Sequence, residues 1–196
     1  MEAEKPMNSE ESILIIQRMI NTAKEDLEDN SFYFLLWGWL VFAACIINFI
    51  LIKISFGFES IGWLILMPLG GVWSSIYGYR QGRRQRSTSY IYDLMKYVLI
   101  AFFVSLMIVL FFMNKLGLAT YPMVMLIYGT WLFISGGALK FRPLIVGGII
   151  NWTLAMVALF FFFEQQLIIL AIAVLSGYII PGHMLKRKFK RGKINN

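Results

Sequence analysis

The chain has 196 residues, of which 59% are hydrophobic and 15% charged, and its mean hydropathy is +0.68. A soluble domain is typically about 45–50% apolar, so lipid rather than a water-soluble core must take up the excess of apolar side chains. The single cysteine, Cys45, excludes a disulfide within the chain, and the single histidine, His183, excludes a metal site built from several histidines.

The first 30 residues form an acidic head in front of the apolar part of the chain. Within this head, residues 8–29 carry apolar side chains at alternating three- and four-residue steps, which predicts an amphipathic cytoplasmic helix. The predicted partner face consists of Ile13, Ile16, Ile20, Ala23 and Leu27.

This apolar stripe must be covered, and an anionic inner leaflet repels an acidic helix. Two coverings remain. In the first, which we favour, the head folds back onto the basic loop 80–86 and the basic tail 186–196 of the same chain. In the second, the head pairs with a helix from another copy or from a cytoplasmic protein.

Six apolar stretches follow the head, and each is long enough to cross a hydrocarbon layer about 30 Å thick as a helix. The predicted spans are residues 32–52, 61–79, 92–113, 121–139, 143–163 and 167–185. The sequence therefore predicts an all-α polytopic membrane protein with three parts. These parts are the acidic head (1–30), a bundle of six transmembrane helices (31–185) and a short basic tail (186–196).

The basic residues are sorted to alternate gaps between these spans. Of the 18 lysines and arginines, all except Lys53 and Lys115 fall on the side that carries both termini. Because lysine and arginine near span ends stay in the cytoplasm, the sorting predicts cytoplasmic termini and an even number of crossings. The setting that fits is a bacterial inner membrane, with membrane lipid as the main partner. The net charge of +7 then reflects topology, and no nucleic-acid partner is expected.

The second span contains two features that bear on helix packing. Pro68 falls in the middle of the span, where it removes one backbone hydrogen bond and predicts a kink, either as a hinge or as a static bend. Gly70, Ser74 and Gly78 recur every four residues and form a smooth ridge that another helix can approach closely. Packing inside the monomer is the favoured use of this ridge, and a homodimer seam is the alternative.

Ionisable chemistry is absent from the middle of the predicted spans, where Asn48 and Asn151 are the most polar residues. Hydrogen bonding between helices is the ordinary role of such residues, and a ligand or ion path is the alternative. The sequence shows no nucleophile–base pair, phosphate loop or metal-ligand cluster. We therefore expect no enzymatic activity, no catalytic residue, no metal and no cofactor.

The segments ESILIIQRMINTAKEDLEDNSFYFLLWGWLVF (11–42) and ISGGALKFRPLIVGGIINW (134–152) resemble those of a family of small six-helix integral membrane proteins common in Bacteroidetes. The resemblance covers most of the chain. It implies a bacterial inner-membrane setting. Because the family is uncharacterised and has no known activity, the resemblance carries over no functional residue.

Two functions compete at this stage. The first is an assembly or regulatory membrane protein that acts through its cytoplasmic amino-terminal helix. The second is a small transporter or channel, either a monomer or a dimer, with a polar path near Pro68 that is lined by Asn48 and Asn151.

Overall fold

The computed structural model describes the backbone of residues 9–55, 57–82 and 90–194. Within these it describes the side chains of residues 13–14, 31–55, 57–80 and 94–188. Every regular element in these ranges is helical, as predicted. The elements are α1 (Ser9–Lys53), α2 (Ile61–Gly82), α3 (Tyr90–Phe111), α4 (Met113–Leu116), a 3-10 turn (Gly117–Ala119), α5 (Thr120–Ala138), α6 (Arg142–Ala158), α7 (Phe163–Val174), a π-helical turn (Leu175–Ile179) and α8 (Ile180–Ile194).

Six apolar helical segments make up the described part of the bundle. Five helices are long and apolar enough to cross a membrane by length and composition, namely Ser31–Lys53, Ile61–Arg80, Leu94–Phe111, Met113–Ala138 and Phe163–Lys188. The sixth crossing, α6, has 17 residues. The all-α polytopic fold predicted from the sequence is confirmed for the part of the chain described.

The two ends of the bundle differ in charge. One end, which we call the Lys53 end, carries Lys53, Glu59, Lys115 and Glu164 at or beyond the helix termini. The opposite end, which we call the tail end, carries Arg80, Lys140, Arg142, Lys186, Arg187 and Lys188. Most of the cations whose side chains the structure describes are therefore gathered at one end of the folded bundle.

Helix α1 continues without interruption from the acidic head through the first span, a run of 45 residues. The head and the first span are both helical, as predicted, but they form one rod about 67 Å long. Between the head and the first span α1 contains no reversal of chain direction. Most side chains of the head, and residues 83–86 of the basic loop, lie outside those the structure describes, so docking of the head onto the loop 80–86 and the tail stays a prediction.

Helices α7, the π turn and α8 follow one another directly and form a second long rod, the C-terminal rod, at residues 163–194. It lies against α1 and runs in the opposite direction. Gly38 of α1 faces Tyr178 and Ile179, and Gly182 faces Leu35. At the Lys53 end, Lys53 pairs with Glu164. These contacts share one antiparallel register, in which each step forward on α1 matches one step back on the C-terminal rod.

The four-residue link 140–143 between two apolar stretches predicts a tight antiparallel hairpin, with Pro143 suited to the first turn of the second helix. Helices α5 and α6 form this hairpin, and Pro143 lies in the first turn of α6. Lys140 in the connection has a φ of 49°, the left-handed conformation that closes the turn. The two backbones approach closely because glycines face the partner helix. A Cβ on Gly136 would lie 2.7 Å from the Ile145 nitrogen, and one on Gly148 would lie 2.8 Å from the Gly129 oxygen.

One predicted boundary is wrong. The fifth span was expected to end at residue 163, but α6 ends at Ala158 and residues 159–162 form a turn before α7. Hydrophobicity alone could not place this turn, because residues 160–163 are four consecutive phenylalanines. The turn forms there because glutamine side chains satisfy its backbone, as described below.

Candidate functional site

The glycine ridge of α2 packs against α1 of the same chain. A Cβ on Gly70 would lie 2.6 Å from Leu40 Cδ1, and a Cβ on Gly78 would lie 3.1 Å from the Tyr33 hydroxyl oxygen. The Ser74 hydroxyl between these glycines is shielded from solvent and has no hydrogen-bond partner among the described residues. The ridge is thus occupied within the monomer at these positions.

Pro68 lies on another face of α2. Its ring is exposed, as is the neighbouring Leu69 side chain, so both point away from the α1 contact. The helix continues through Pro68 from Ile61 to Gly82. The kink predicted at Pro68, as a hinge or as a static bend, stays a prediction.

Asn151 is completely buried in α6, and its amide nitrogen is used in packing. Nδ2 donates to the Gly147 carbonyl at 2.8 Å and to the Ala173 carbonyl of α7 at 3.1 Å. The second bond joins α6 to the C-terminal rod just before the π turn. The arrangement matches the ordinary role of a polar residue between membrane helices, which is to hydrogen-bond across their interface.

The π turn lies where the C-terminal rod must accommodate Pro181. Proline has no N–H, so the carbonyl of Gly177, four residues earlier, loses its α-helical donor. A π turn spanning Leu175–Ile179 precedes this position, and Ile180 N–H donates to the Leu175 carbonyl in the wider pattern. Single π turns of this kind often mark functional sites, but here Pro181 supplies a structural cause.

Gly147 and Gly177 bring α6 and the π turn into backbone contact. A Cβ on Gly147 would lie 2.8 Å from the Gly177 Cα, which is backbone and cannot rotate away. Leu132 of α5 also packs against Gly177. The interior is closed at this level by backbone packing, on the same interface that Asn151 joins.

Asn48 occupies a different interface. It is 2% exposed on α1, and its Oδ1 has no hydrogen-bond partner among the described residues. The α1 register places Asn48 level with Ile169, about one helical turn from the Ala173 level of Asn151. No hydrogen bond in the described part of the chain joins the two asparagines. A polar path lined by both residues stays a prediction without a supporting contact.

Gln166 is a polar centre that sequence reasoning missed. It is fully buried at the start of α7, and its Nε2 lies 2.9 Å from the Leu118 carbonyl, 3.0 Å from the Ala158 carbonyl and 3.0 Å from the Phe161 carbonyl. The two N–H groups of this one amide therefore lie within hydrogen-bonding distance of three segments, which are the 3-10 turn, the end of α6 and the α6–α7 turn. The available signal was the polar run 164–166, which follows four consecutive phenylalanines at the start of an otherwise apolar helix.

The Lys53 end also carries an ion pair and an open pocket. The Lys53 ammonium bonds to Glu164, and its Nζ lies 5.6 Å from the centre of the Phe49 ring. The pocket, of about 460 Å³, is lined by Leu118, Phe162, Phe163, Glu164 and Gln165. Both charged side chains are about half exposed, so the ion pair contributes little to stability.

The stripe on the head is described only at its first position. Ile13 and its neighbour Leu14 are 55% and 61% exposed. The side chains of Ile16, Ile20, Ala23 and Leu27 lie outside those the structure describes. The helix that carries them is part of α1, so the head is held in line with the first span.

No protein-family model, curated protein or solved structure matches this chain. Its interior must therefore be interpreted from its own geometry. The described residues contain no group of three or more His, Cys, Asp or Glu side chains that could hold a metal ion. The buried amides of Asn151 and Gln166 donate hydrogen bonds to backbone carbonyls, and these bonds join helices and turns.

Proposed function

We propose that this chain is a bacterial inner-membrane protein with both termini in the cytoplasm. In this proposal it has no enzymatic activity and serves assembly or regulation by presenting the amino-terminal part of α1 to a protein partner. The observation that supports the proposal is the continuity of α1, which makes the acidic head a rigid extension of a membrane-spanning helix.

The orientation rests on the charge difference between the two ends of the bundle. Lysine and arginine near span ends are retained in the cytoplasm, so the tail end, with its cluster of cations, faces inward. The Lys53 end, where Glu59 and Glu164 accompany two lysines, then faces the periplasm.

Thiol labelling of intact bacteria tests this orientation. In a Cys45→Ala background, Gly57→Cys is expected to react with a membrane-impermeant maleimide, because Gly57 lies in the exposed α1–α2 connection with open space around its Cβ position. Lys186→Cys, which replaces an exposed side chain at the tail end, is expected to react only after the cells are lysed. The reverse pattern would contradict the proposed orientation.

The head reaches well beyond the membrane. The part of α1 before Ser31 accounts for about 33 Å of helix, at 1.5 Å per residue. The antiparallel register with the C-terminal rod, continued along both helices, puts residues 25–29 of α1 level with residues 188–192 of α8. By the same register, Ile194 at the end of α8 is level with residue 23. Residues 9–22 therefore extend past the last turn of α8, and Ile13 and Leu14 belong to this part.

The chemistry of the head indicates the kind of partner. An acidic helix is repelled by an anionic leaflet, which disfavours the exposed Ile13 and Leu14 as membrane anchors. An apolar stripe at helical spacing, bordered by acidic residues, fits a helix or groove that is apolar at its centre and basic at its edges. We infer a cytoplasmic protein as this partner, and a second copy of the chain is a distinguishable outcome of the test.

Photocrosslinking in cells tests the proposed role. A photoreactive amino acid at Ile13 is expected to give one discrete protein adduct, whereas the same residue at Val146, which is exposed on α6, should give none. Inserting two alanines after Asn30 turns the head by about 200° relative to the span and should weaken the adduct. A seven-alanine insertion restores the phase to within about 20° and serves as the matched control.

The outcomes of this experiment are distinct. An adduct of twice the mass of the chain would identify a second copy as the partner. The absence of any protein adduct at Ile13, or an adduct equally strong after both insertions, would contradict a rigidly presented partner face.

A further inference from the structure

Helix α6 is shorter than the hydrocarbon layer of a typical membrane is thick. Its 17 residues span about 26 Å, whereas the hydrocarbon layer is about 30 Å thick. The connection between α5 and α6, with Lys140 and Arg142, holds the other end of the hairpin at charged, headgroup level. The helix that leads into the α6–α7 turn at residues 159–162 is therefore about 4 Å shorter than the hydrocarbon layer.

The side chains of this turn are those that lipid accepts. Phe160 and Phe162 are 86% and 74% exposed, and Leu159 is also exposed. In water these side chains would form an unusual apolar patch on a turn, since most turns are polar. Against acyl chains the same exposure carries no penalty.

Neighbouring residues indicate the depth of the turn independently. The Tyr121 ring lies 5.0 Å from the Phe163 ring and 6.4 Å from the Trp63 ring, measured between centroids. Tryptophan and tyrosine concentrate at the boundary between headgroups and hydrocarbon. Lys53 and Glu164, which neutralise one another, lie at this same end of the bundle.

The backbone of the turn is satisfied by side chains. The Gln166 amide lies within hydrogen-bonding distance of the backbone carbonyls of Ala158 and Phe161, and the side-chain Oε1 of Gln165 accepts from Phe162 N–H at 3.1 Å. Irregular backbone is tolerated at membrane depth only where protein groups replace water as the hydrogen-bonding partners. Two consecutive glutamines perform that replacement here.

We propose that the α6–α7 turn is seated in the acyl-chain region of the leaflet at the Lys53 end, with Phe160 and Phe162 in contact with lipid. The partner of this surface is the phospholipid acyl chain. Gln165 and Gln166 take the place of the water that a turn outside the membrane would use. The inference goes beyond the proposed function, because it concerns the opposite end of the molecule from the acidic head.

Spin-label accessibility in liposomes tests the proposal. Phe160→Cys and Phe162→Cys, each in the Cys45→Ala background, replace exposed side chains and should leave the packing intact. Nitroxides at both positions are expected to collide mainly with dissolved oxygen, which concentrates in hydrocarbon. A nitroxide at Gly57→Cys, the control in the α1–α2 connection, should collide mainly with a water-soluble nickel chelate.

Bilayer thickness provides a second measurement on the same labelled proteins. Shortening the lipid acyl chains from 18 to about 14 carbons should raise nickel accessibility several-fold at Phe160→Cys and leave it unchanged at Gly57→Cys. Nickel-dominated collisions at both phenylalanine positions in the thicker bilayer, or accessibility that does not respond to thickness, would overturn the proposal.

Discussion

Replacing Gln166 by leucine is expected to lower the free energy of unfolding by about 3 kcal/mol. The substitution keeps the approximate volume but leaves the carbonyls of Leu118, Ala158 and Phe161 without the amide that approaches all three. A lost hydrogen bond costs about 1 kcal/mol, and more when the abandoned group is buried. Because Gln166 Oε1 has no partner among the described residues, its removal offsets part of the loss. Equilibrium unfolding in mixed micelles measures the difference.

Gln165→Leu is the matched control for this prediction. It makes the same change at the adjacent residue, but Gln165 is exposed and its side chain accepts one bond, from Phe162 N–H. We expect a loss of about 1 kcal/mol or less, in line with a single exposed bond. Equal losses for the two variants would show that Gln166 is not the group that holds the α6–α7 turn.

Gly147→Ala is expected to be strongly damaging, with a loss of about 3 kcal/mol or failure to accumulate as folded protein. The new Cβ would meet the Gly177 Cα at 2.8 Å, so α6 and the π turn must separate. Overpacking typically costs about 1–3 kcal/mol, and backbone atoms cannot relieve it by changing rotamer. Separation would also stretch the bond from Asn151 to the Ala173 carbonyl. Folded yield and unfolding in mixed micelles report the effect.

Gly71→Ala is the control, because it adds the same methyl group to a membrane-spanning helix. No atom lies within 4 Å of the Cβ position at Gly71, and alanine favours the helix more than glycine does. We expect stability that is unchanged or slightly higher. Comparable damage from the two substitutions would contradict the specific backbone contact between Gly147 and Gly177.

The unbroken α1 connects the acidic head directly to the bundle through one helix. A change in the direction of the head is expected to rotate or tilt the first span, because one continuous helix contains both. The span in turn packs on α2 at Gly70 and on the C-terminal rod at Gly38 and Gly182. If the head binds a partner as proposed, the binding energy acts on this helix directly.

Hydrophobicity predicted where the spans lie better than where they end. The hairpin of α5 and α6 followed from a four-residue link with a proline at its close, since so short a connection permits only an antiparallel return. The end of the fifth span was predicted too late, beyond Ala158. Phenylalanine raises the hydrophobicity of a segment equally in a membrane helix and in a turn that faces lipid. Only the bonds of Gln165 and Gln166 distinguish the two, and they connect segments up to 48 residues apart.

For the candidate site residues, too, the sequence indicated the feature and the structure showed its partner. Four-residue spacing in span two indicated a ridge at Gly70 and Gly78, but spacing is equally compatible with a second copy of the chain. The positions of Leu40 and Tyr33 settled that α1 occupies it here. Asn48 and Asn151 were identified as costly to bury, yet the amide bonds that engage Asn151 depend on the π turn and its carbonyls.

By itself the amino-acid sequence determined that lipid surrounds most of this chain, that the chain is helical, and that its cations collect at one end. Those properties follow from the summed transfer energies of many side chains, so no single contact decides them. Which helices touch, where α6 stops, and whether the head is separate from the first span depended on the tertiary structure. These features rest on a few close backbone approaches and polar bonds between distant residues, which local sequence patterns do not encode.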